Sequence, residues 1–418
     1  MASEYAGIDG ASSKKPVGHW LSIVGIGENG LAGLGEDARR AVESAEFVFG
    51  GKRHLGLAAG AIKGEARPWP VPFDVDMADV VALRGHKVCV LASGDPFFYG
   101  VGVTLLRHVA LGETISYPAP SAFSLAASRL GWALQDVECV SLHGRSIDLI
   151  RPYLHPGAKL IVLTSDEKAP ALLAALLAEN GFGRSDFILL EALGGPRENI
   201  RHGKAGSFSH DDIDPLNVVA IDVVADKKAR ILPYTQGLDD ALFEHDGQMT
   251  KREIRAFTLS SLAPRHGELL WDIGAGSGSI GIEWMLAHPS LRAIGIEQNA
   301  ERAERAMRNA ETFGVPGLEM VIGVAPDAFE GLATPDAIFI GGGGSEDGVL
   351  DGAIAALKPG GRLVANAVTL EMEAMLLAAQ ARLGGSLIRL EVARASPVGS
   401  MQGWRPAMPV TQWAWVKP

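Results

Sequence analysis

The sequence has few of the features that mark exported, membrane or metal-binding proteins. It has two cysteines, Cys89 and Cys139, each in an apolar strand-like run, which favours free thiols in a reducing compartment over a disulfide framework. It has no run of about 18 apolar residues, no CxxC or HExxH motif, and no apolar signal-peptide core near its start. We therefore expect a cytoplasmic protein with no membrane partner and no bound metal.

A basic excess is also missing. The formal net charge is -11 and neither half of the chain is basic, whereas binding to the phosphate backbone usually needs a basic surface. We therefore predict no nucleic-acid partner. An acidic ligand would need basic groups placed inside a cleft. The candidates are Lys251, Arg252, Arg255, Arg394 and Arg405, and solvated surface charge is the alternative for each of them.

Length and patterning predict two packed α/β domains. With 418 residues, 47% of them hydrophobic and 21% charged, the chain is globular but too long for one ordinary core. Strand, glycine turn and helix alternate in both halves, whereas the strands near 187–191 and 218–223 are joined by turns, which indicates an antiparallel sheet. We predict a disordered leader over 1–18, a first domain over 19–224, a linker over 225–237 and a second domain over 238–418.

The stretch LLWDIGAGSGSIGIEW at 269–284 carries the most functional information. It predicts a buried strand, a loop with glycines at alternate positions, and then a helix. Glycine lets the backbone turn sharply and lets a ligand approach, while the helix start offers unpaired N–H donors. The next strand ends in Glu297, at about the separation where an acidic residue meets a ribose in nucleotide-binding βαβ units. The loop therefore predicts an adenosine-containing ligand.

The glycine spacing favours S-adenosylmethionine (SAM) as that ligand. A dinucleotide fingerprint has its third glycine one position later, where Ser279 stands. Asp-x-Gly-x-Gly-x-Gly is instead the pattern of SAM enzymes. NAD stays open as the second choice, and a glycine-rich turn without a ligand is the plain alternative.

Six pieces of the first half, in order, carry a family resemblance: VGIGENG, LASGDPFFYG, APSAFSLAASRLG, SLHGR, LGGPRENI and PLNVVAIDV. Together they resemble the tetrapyrrole (corrin and porphyrin) methylase family, and within it the precorrin C5 methylases. Many relatives have Pro-Gly where Glu28-Asn29 stand here. Asp95 has a plain alternative as a turn residue that caps Phe97 or Phe98. The resemblance implies a two-lobed fold with a SAM site built from Gly25, Gly27, Gly94, Asp95, Pro96, Ser121, Ala122, Thr164 and Leu216.

The second half resembles the precorrin C15 methylase domain, which also decarboxylates the C12 acetate. The match includes GLDDALFEHDGQMTKREIRAFTLSSLAP, the glycine loop, GLEMVIGVAPDAF, DAIFIGGGG, GGRLVANAVTLE and VTQWAWV. Thr250 and Glu253 fit a capping box at the start of a helix. The resemblance implies a Rossmann-like SAM-dependent methyltransferase fold whose cofactor site uses Thr250, Gly274, Ala275, Gly276, Ser277, Gly278, Glu297 and Ala325.

Together the two resemblances imply a bifunctional enzyme of corrin synthesis with two SAM sites per chain. It would methylate C5 and C15 of a reduced tetrapyrrole (precorrin-6B) and decarboxylate its C12 acetate to give precorrin-8X, and relatives of both domains tend to form homo-oligomers. The candidates for proton transfer or carboxylate binding are His143, Asn366 and Arg394. The alternative without a functional role is a packed histidine for His143, a helix cap for Asn366 and a solvated surface charge for Arg394.

Two other functions stay open from the sequence. The fold of the second domain supports many substrates, so a methyltransferase of RNA or protein is one alternative, although the acidic balance counts against RNA. A SAM-binding regulatory protein without catalysis is the other. Methyl transfer itself requires no covalent nucleophile, because the protein has to hold the nucleophilic carbon against the methyl group and exclude water.

Overall fold

The computed structural model describes residues 18–418, which form two compact units. The first unit runs to Gly144 and resumes over Pro156–Lys228, and the second comprises Arg145–His155 and Ala229–Pro418. The predicted disordered leader, residues 1–18, lies outside the described residues apart from Gly18. Among the described residues, no helix is long and apolar enough to cross a membrane.

The first sheet of the first unit is parallel and has five strands. Its elements are β1 (Leu21–Ile26), α1 (Glu36–Ser44), β2 (Phe47–Gly50), α2 (Lys52–Ala58), β3 (Glu65–Pro68), α3 (Ala78–Val81), β4 (Val88–Ser93), α4 (Gly102–Leu105) and β5 (Thr114–Tyr117). The strand order is β3-β2-β4-β1-β5. The central strands β1 and β4 are apolar and almost wholly buried. Because all five strands run the same way, the loops after them lie at one edge.

The second sheet of the first unit is mixed. Its elements are α5 (Ala122–Leu130), β6 (Val137–Ser141), β7 (Lys159–Leu163), α6 (Ala169–Glu179), β8 (Asp186–Glu191), β9 (Asn199–Lys204) and β10 (Asn217–Asp222). The strand order is β6-β7-β10-β8-β9. β6 and β7 are parallel, whereas β10 pairs antiparallel with β7 and β8, and β9 with β8. The antiparallel strands predicted for the end of the first half are confirmed.

The second unit is built on a seven-stranded sheet with a separate hairpin. Its helices are α7 (Arg252–Leu262), α8 (Ser279–Leu286), α9 (Ala300–Thr312), α10 (Val349–Ala356) and α11 (Leu370–Leu383). Its strands are β11 (Leu269–Ile273), β12 (Arg292–Glu297), β13 (Glu319–Ile322), β14 (Ala337–Ile340), β15 (Arg362–Ala367), β16 (Ser386–Leu390), β17 (Ala393–Val398), β18 (Met401–Pro406) and β19 (Val410–Val416).

The order of the seven strands is β13-β12-β11-β14-β15-β19-β16, and β17 pairs only with β18 among the described strands. The strands from β13 to β15 are parallel, and β19 runs antiparallel to both of its neighbours. The predicted class, α/β with two domains and a Rossmann-like second one, is confirmed.

A short segment from the first third of the chain belongs to the second unit. Ile147–Tyr153 forms a 3-10 helix, and Gly314 lies so close that a Cβ there would stand 2.4 Å from Cδ of Pro152. The ring of His155 stacks on Tyr234 with the centroids 4.2 Å apart. The bounds predicted from the sequence put this segment in the first domain, whereas its packing partners lie far along the chain.

One buried ion pair holds the start of the second unit. Arg255 of α7 is fully buried, and its guanidinium pairs with Glu283 of α8, which is 2% exposed. Glu283 also accepts the backbone N–H groups of Gly237 and Leu238, at 2.6 and 3.0 Å. Arg255 donates in turn to the carbonyl oxygens of Leu238 and Thr250. The ion pair therefore holds both ends of the segment from Leu238 to Thr250.

Arg255→Met should lower the free energy of unfolding by about 3–5 kcal/mol, because it leaves the Glu283 carboxylate buried without its cation. Urea unfolding followed by tryptophan fluorescence measures the loss. Arg308→Met is the matched control: its pair with Glu244 is about half exposed, so that loss should stay below about 1 kcal/mol. Removing both buried charges in Arg255→Met/Glu283→Leu should restore only part of the stability, because it relieves the uncompensated charge but takes these partners away from the N–H groups of Gly237 and Leu238 and from the carbonyls of Leu238 and Thr250. Equal losses in Arg255→Met and the control would contradict the role given to the pair.

Candidate functional site

The loop after β11 has a backbone that favours glycine. Gly274, Gly276 and Gly278 have φ values of 72°, 58° and 74°, in the left-handed region that side chains disfavour. Gly274 also meets the loop after β14, and a Cβ there would lie 2.6 Å from the carbonyl oxygen of Gly342. The absence of side chains therefore lets two strand ends approach each other.

Glu297, at the end of β12, holds this loop. Its Oε2 accepts the N–H of Gly276 at 2.9 Å, and its Oε1 accepts the N–H of Asn299 at 3.0 Å. The N–H groups of Gly274 and Ala275 both donate to the carbonyl oxygen of Ile296, the residue before Glu297. Each carboxylate oxygen of Glu297 keeps a second lone pair. The carboxylate can therefore still accept two ligand hydroxyl groups.

A cavity of about 680 Å³ opens over the loop, which is within the usual size of small-molecule sites. Two predicted residues of the glycine loop, Ser277 and Gly278, do not line it. The carbonyl of Ser277 accepts from Asn309 of α9 at 2.9 Å, and a Cβ on Gly278 would lie 3.0 Å from the Cβ of Ala306. These two shape the loop from behind. Nine predicted residues do line the cavity: Thr250, Lys251, Gly274, Ala275, Gly276, Glu297, Ala325, Asn366 and Arg394.

The start of α7, beside the cavity, differs from the prediction. The N-cap residue is Lys251 and no side chain caps the first turn, so the capping box of Thr250 and Glu253 is wrong. Glu253 pairs instead with Arg394, 141 residues further along the chain. The Thr250 carbonyl accepts from the Arg255 guanidinium at 2.6 Å. A tertiary partner, Arg394, therefore takes the carboxylate that the local cap would use.

The wall of the cavity includes residues that no sequence pattern singled out. Val392, Met408 and Val410 flank the hairpin β17–β18 and line the cavity. They have no local signature, because the pairing of β19 with β15 brings them there. Gln248 and Arg302 also line the cavity and bond to each other at 2.7 Å.

Asn366 and Arg394, two of the three candidates for proton transfer or carboxylate binding, line the cavity. Arg394 and Arg405 are opposite each other in the hairpin, but only Arg394 lines the cavity, and Glu253 balances its charge. Asn366 lies in β15, so the alternative that it caps a helix is wrong. The side chain of Thr369 caps α11 instead.

Asp272 lies beneath the glycine loop, and it lines the cavity although only 2% of it is exposed. One of its carboxylate oxygens accepts the N–H of Gly281 at 3.1 Å. Burial raises the pKa of Asp272 from 3.8 to about 7; the hydrogen bond from Gly281 lowers this pKa and the Glu297 carboxylate raises it. In the sequence, Asp272 ends a strand and opens the Asp-x-Gly-x-Gly-x-Gly pattern, but neither feature predicted its raised pKa.

In the first unit, the loops after β1, β4 and β5 pack on one another. A Cβ on Gly25 would lie 1.9 Å from the carbonyl oxygen of Gly94, and one on Gly94 would lie 2.8 Å from that of Pro120. Ser121 caps α5 with its side chain, and Ala122 is the first residue of that helix. The structure therefore brings these predicted residues together at the carboxyl edge of the first sheet.

Three further predicted residues lie in the same loops. A Cβ on Gly27 would stand 3.0 Å from Oδ1 of Asn29. Asp95 accepts the N–H of Phe97 at 2.8 Å, which is the turn role considered as its alternative. The carbonyl of Pro96 accepts from the first residue of α4 at 2.9 Å. Asp95 and Pro96 therefore shape the turn that follows β4.

Glu28, which stands where many relatives have proline, has defined partners. It pairs with Arg53, and its Oε2 lies 3.6 Å from a guanidinium nitrogen of Arg197. Only 10% of its side chain is exposed. A Cβ on Gly195 would lie 2.6 Å from Cβ of Glu28, so the loop after β1 packs against the loop after β8. Ion pairs therefore hold this loop in place of a proline.

The remaining candidates lie at one edge of the second sheet. His143 Nδ1 is 3.0 Å from the carbonyl oxygen of Thr164, and the Thr164 hydroxyl bonds to the carbonyl of Asn217 at 2.9 Å. The carbonyl of Leu216 accepts from Ala192 at 2.9 Å. His143 is exposed, so it is not the packed histidine considered as its alternative.

The pH dependence of stability should change in Asp272→Asn. The aspartate loses its proton near pH 3.8 in the unfolded chain but only near pH 7 in the folded one, so the folded state binds more protons between these values. The free energy of unfolding should therefore fall by about 4 kcal/mol as the pH rises from 3.8 to about 7. Above that pH, Asp272 should contribute no further change. Urea unfolding at several pH values should show a much smaller fall in Asp272→Asn. Parallel curves would contradict the assignment.

Comparisons with known proteins agree with the two-domain organisation. The family model described as tetrapyrrole (corrin/porphyrin) methylases matches residues 21–209, and the one described as precorrin methyltransferase domain matches residues 241–417. A Sinorhizobium precorrin-6Y C(5,15)-methyltransferase (decarboxylating) is 63% identical over 401 residues, which is 96% of this chain and 97% of that protein.

Two Salmonella typhimurium proteins are similar to the separate halves. A cobalt-precorrin-6B C(15)-methyltransferase (decarboxylating) is 35% identical over 39% of this chain and 85% of its own length. A cobalt-precorrin-7 C(5)-methyltransferase is 29% identical over 48% of this chain and 98% of its own length. With the full-length similarity, these matches mean that the chain belongs to the precorrin-6Y C(5,15)-methyltransferase (decarboxylating) family.

Proposed function

We propose that the chain is a bifunctional SAM-dependent methyltransferase of cobalamin synthesis. It methylates C5 and C15 of a reduced precorrin (precorrin-6B) and decarboxylates the C12 acetate to give precorrin-8X. The observation that carries this proposal is the 63% identity, over 96% of the chain, to an enzyme whose name states both methylations and the decarboxylation. The substrate is therefore a small tetrapyrrole.

The two activities are divided between the two domains. The second, over 238–418, carries out the C15 methylation and the decarboxylation, because the C15 methyltransferase of Salmonella covers this half. The first, over 19–224, methylates C5, because the C5 methyltransferase covers that half. The names of these relatives also suggest an order. The decarboxylating one acts on a 6B precursor and the other on a precorrin-7, so the second domain acts first.

The second domain holds its cofactor with groups that the fold has already oriented. Bound SAM supplies an electrophilic methyl group. Glu297 accepts the ribose hydroxyls, and Gly274 and Gly276 let the ligand approach the backbone. Among residues 18–418, the N–H groups of Ser279 and Ile280 at the start of α8 have no acceptor, so they are available to a carboxylate.

The first domain holds a second SAM, which makes two per chain. The close-packed loops at Gly25, Gly94 and Ser121 form one side of this site, and Thr164 and Leu216 form the other. The Nδ1 of His143 donates to the Thr164 carbonyl, which leaves its Nε2 as the basic nitrogen. His143 can therefore take up a proton beside the ring that is methylated.

Substrate carboxylates are bound locally, against an acidic background. With a net charge of -11, the chain has no general attraction for an acidic tetrapyrrole or for nucleic acid. Arg394 lines the cavity but is paired with Glu253, so a substrate carboxylate exchanges with Glu253 for the guanidinium. A homo-oligomer is part of this proposal, since relatives of both domains tend to assemble.

Gly276→Arg should abolish C15 methylation and decarboxylation, but not C5 methylation of a ring that is already decarboxylated. The new side chain would project from a backbone with φ of 58° into the cavity of the second domain. Mass analysis of the products counts the methyl groups and the carbon dioxide lost. Calorimetry should show the SAM stoichiometry falling from two per chain to one.

Gly331→Arg is the matched control, because Gly331 also has a positive φ, of 77°, and open space around its Cβ position. This variant should keep both activities. Decarboxylation by Gly276→Arg would refute the assignment of that step to the second domain, and one SAM per wild-type chain would refute the second site. SAM binding without labelled product in the wild type would favour a regulatory protein.

A further inference from the structure

Asn366 belongs to a network of four polar side chains, with Thr258, Ser261 and Gln412. Thr258 of α7 and Gln412 of β19 are both fully buried. Gln412 Nε2 donates to Asn366 Oδ1 at 2.8 Å and to Thr258 Oγ1 at 3.1 Å. Asn366 Nδ2 donates to Thr258 Oγ1 at 3.0 Å, and the hydroxyl of Ser261 donates to Gln412 Oε1 at 2.7 Å. The network joins three elements of the second unit.

Thr258 determines which way both amides point. Its hydroxyl oxygen lies within hydrogen-bond distance of a terminal atom of Asn366 and of Gln412. A hydroxyl can accept two hydrogen bonds but has one hydrogen to donate. Two amide nitrogens therefore satisfy it, whereas two amide oxygens would compete for a single hydrogen. Turning only one amide would bring like atoms of Asn366 and Gln412 together, because these two amides also bond to each other. The orientation with both NH₂ groups towards Thr258 is the stable one.

This orientation leaves one donor of Asn366 for the cavity. Its Nδ2 has two hydrogens, and one is used by Thr258. Among residues 18–418, none accepts the second hydrogen. Thr258 and Gln412 lie on the buried side, whereas Asn366 is partly exposed and lines the cavity. The unused N–H is therefore available to a ligand in the cavity.

We propose that Asn366 is a hydrogen-bond donor for a carboxylate side chain of the tetrapyrrole, and that Gln412 is the positioning residue that keeps the donor facing the cavity. This inference rests on the proposed function. If the Gln412 amide is lost, Asn366 Oδ1 loses its partner and the side chain can rotate. The carboxylate would then meet the amide oxygen for part of the time.

The tetrapyrrole is the acceptor, and the methionine carboxylate of the cofactor is not, because of the strand order. The glycine loop follows β11 and Glu297 ends β12, whereas Asn366 lies in β15, two strands beyond β11 on the opposite side. Neighbouring strands are about 4.8 Å apart. Asn366 is therefore about 10 Å away from the strand that bears the cofactor loop. It lines the same cavity as Val392, Met408 and Val410, which flank the hairpin β17–β18.

Gln412→Met should raise the KM for the reduced tetrapyrrole in C15 methylation by about 10-fold or more, because a hydrogen bond to a charged group is lost for much of the time. Methionine keeps the length and volume of the side chain but has no amide. The Kd for SAM, measured by calorimetry, should not change. Gln402→Met, at an exposed position in β18, is the matched control and should leave both constants unchanged.

A double-mutant cycle separates positioning from simple damage to the fold. Asn366→Ala should raise the same KM at least as much as Gln412→Met, and adding Gln412→Met to Asn366→Ala should have no further effect. Additive increases would show that Gln412 does not act through Asn366. An unchanged KM in Gln412→Met would overturn the proposal, as would an increase confined to the Kd for SAM. If the wild-type enzyme fails to methylate the tetrapyrrole, the proposed function itself is wrong.

Discussion

The ion pair between Arg255 and Glu283 is the interaction on which the cofactor side of the second unit depends. It lies inside the protein, where an uncompensated charge is very costly. The backbone from Leu238 to Thr250 is attached to it at both ends. That segment carries Gln248, which lines the cavity. A single buried pair therefore links the stability of the unit to the shape of its site.

Both units place most of their candidate site residues near the carboxyl ends of parallel strands. At these ends the backbone turns with little side-chain bulk: Gly274 nearly touches Gly342, and Gly25 nearly touches Gly94. The polar groups around the second cavity have strong internal partners, as in the bonds of Glu297 to two backbone N–H groups. Such a site is organised before a ligand arrives, so little binding energy is lost in ordering it.

Much of the second site was predictable, because its glycine loop, strand end and acidic residue occur within about thirty residues and follow a local pattern. Thr250 and Ala325 also line the cavity, as the family resemblance implied. The capping box at Thr250 was wrong, because Arg394 takes the Glu253 carboxylate. Met408 and the Asn366–Gln412 contact left no trace in the sequence, since these residues meet only through the pairing of β15 with β19.

The sequence by itself determined the class of fold, the positions of the glycine loops and the family, because these depend on local backbone requirements and on the periodicity of apolar residues. Tertiary structure alone decided that Asp272 is buried enough for its pKa to rise to about 7 and that 145–155 packs in the second unit. It also decided that Asn366 lines the cavity with its amide held by Thr258 and Gln412. Burial and long-range hydrogen bonds depend on residues far apart in the chain, and local patterns do not record them.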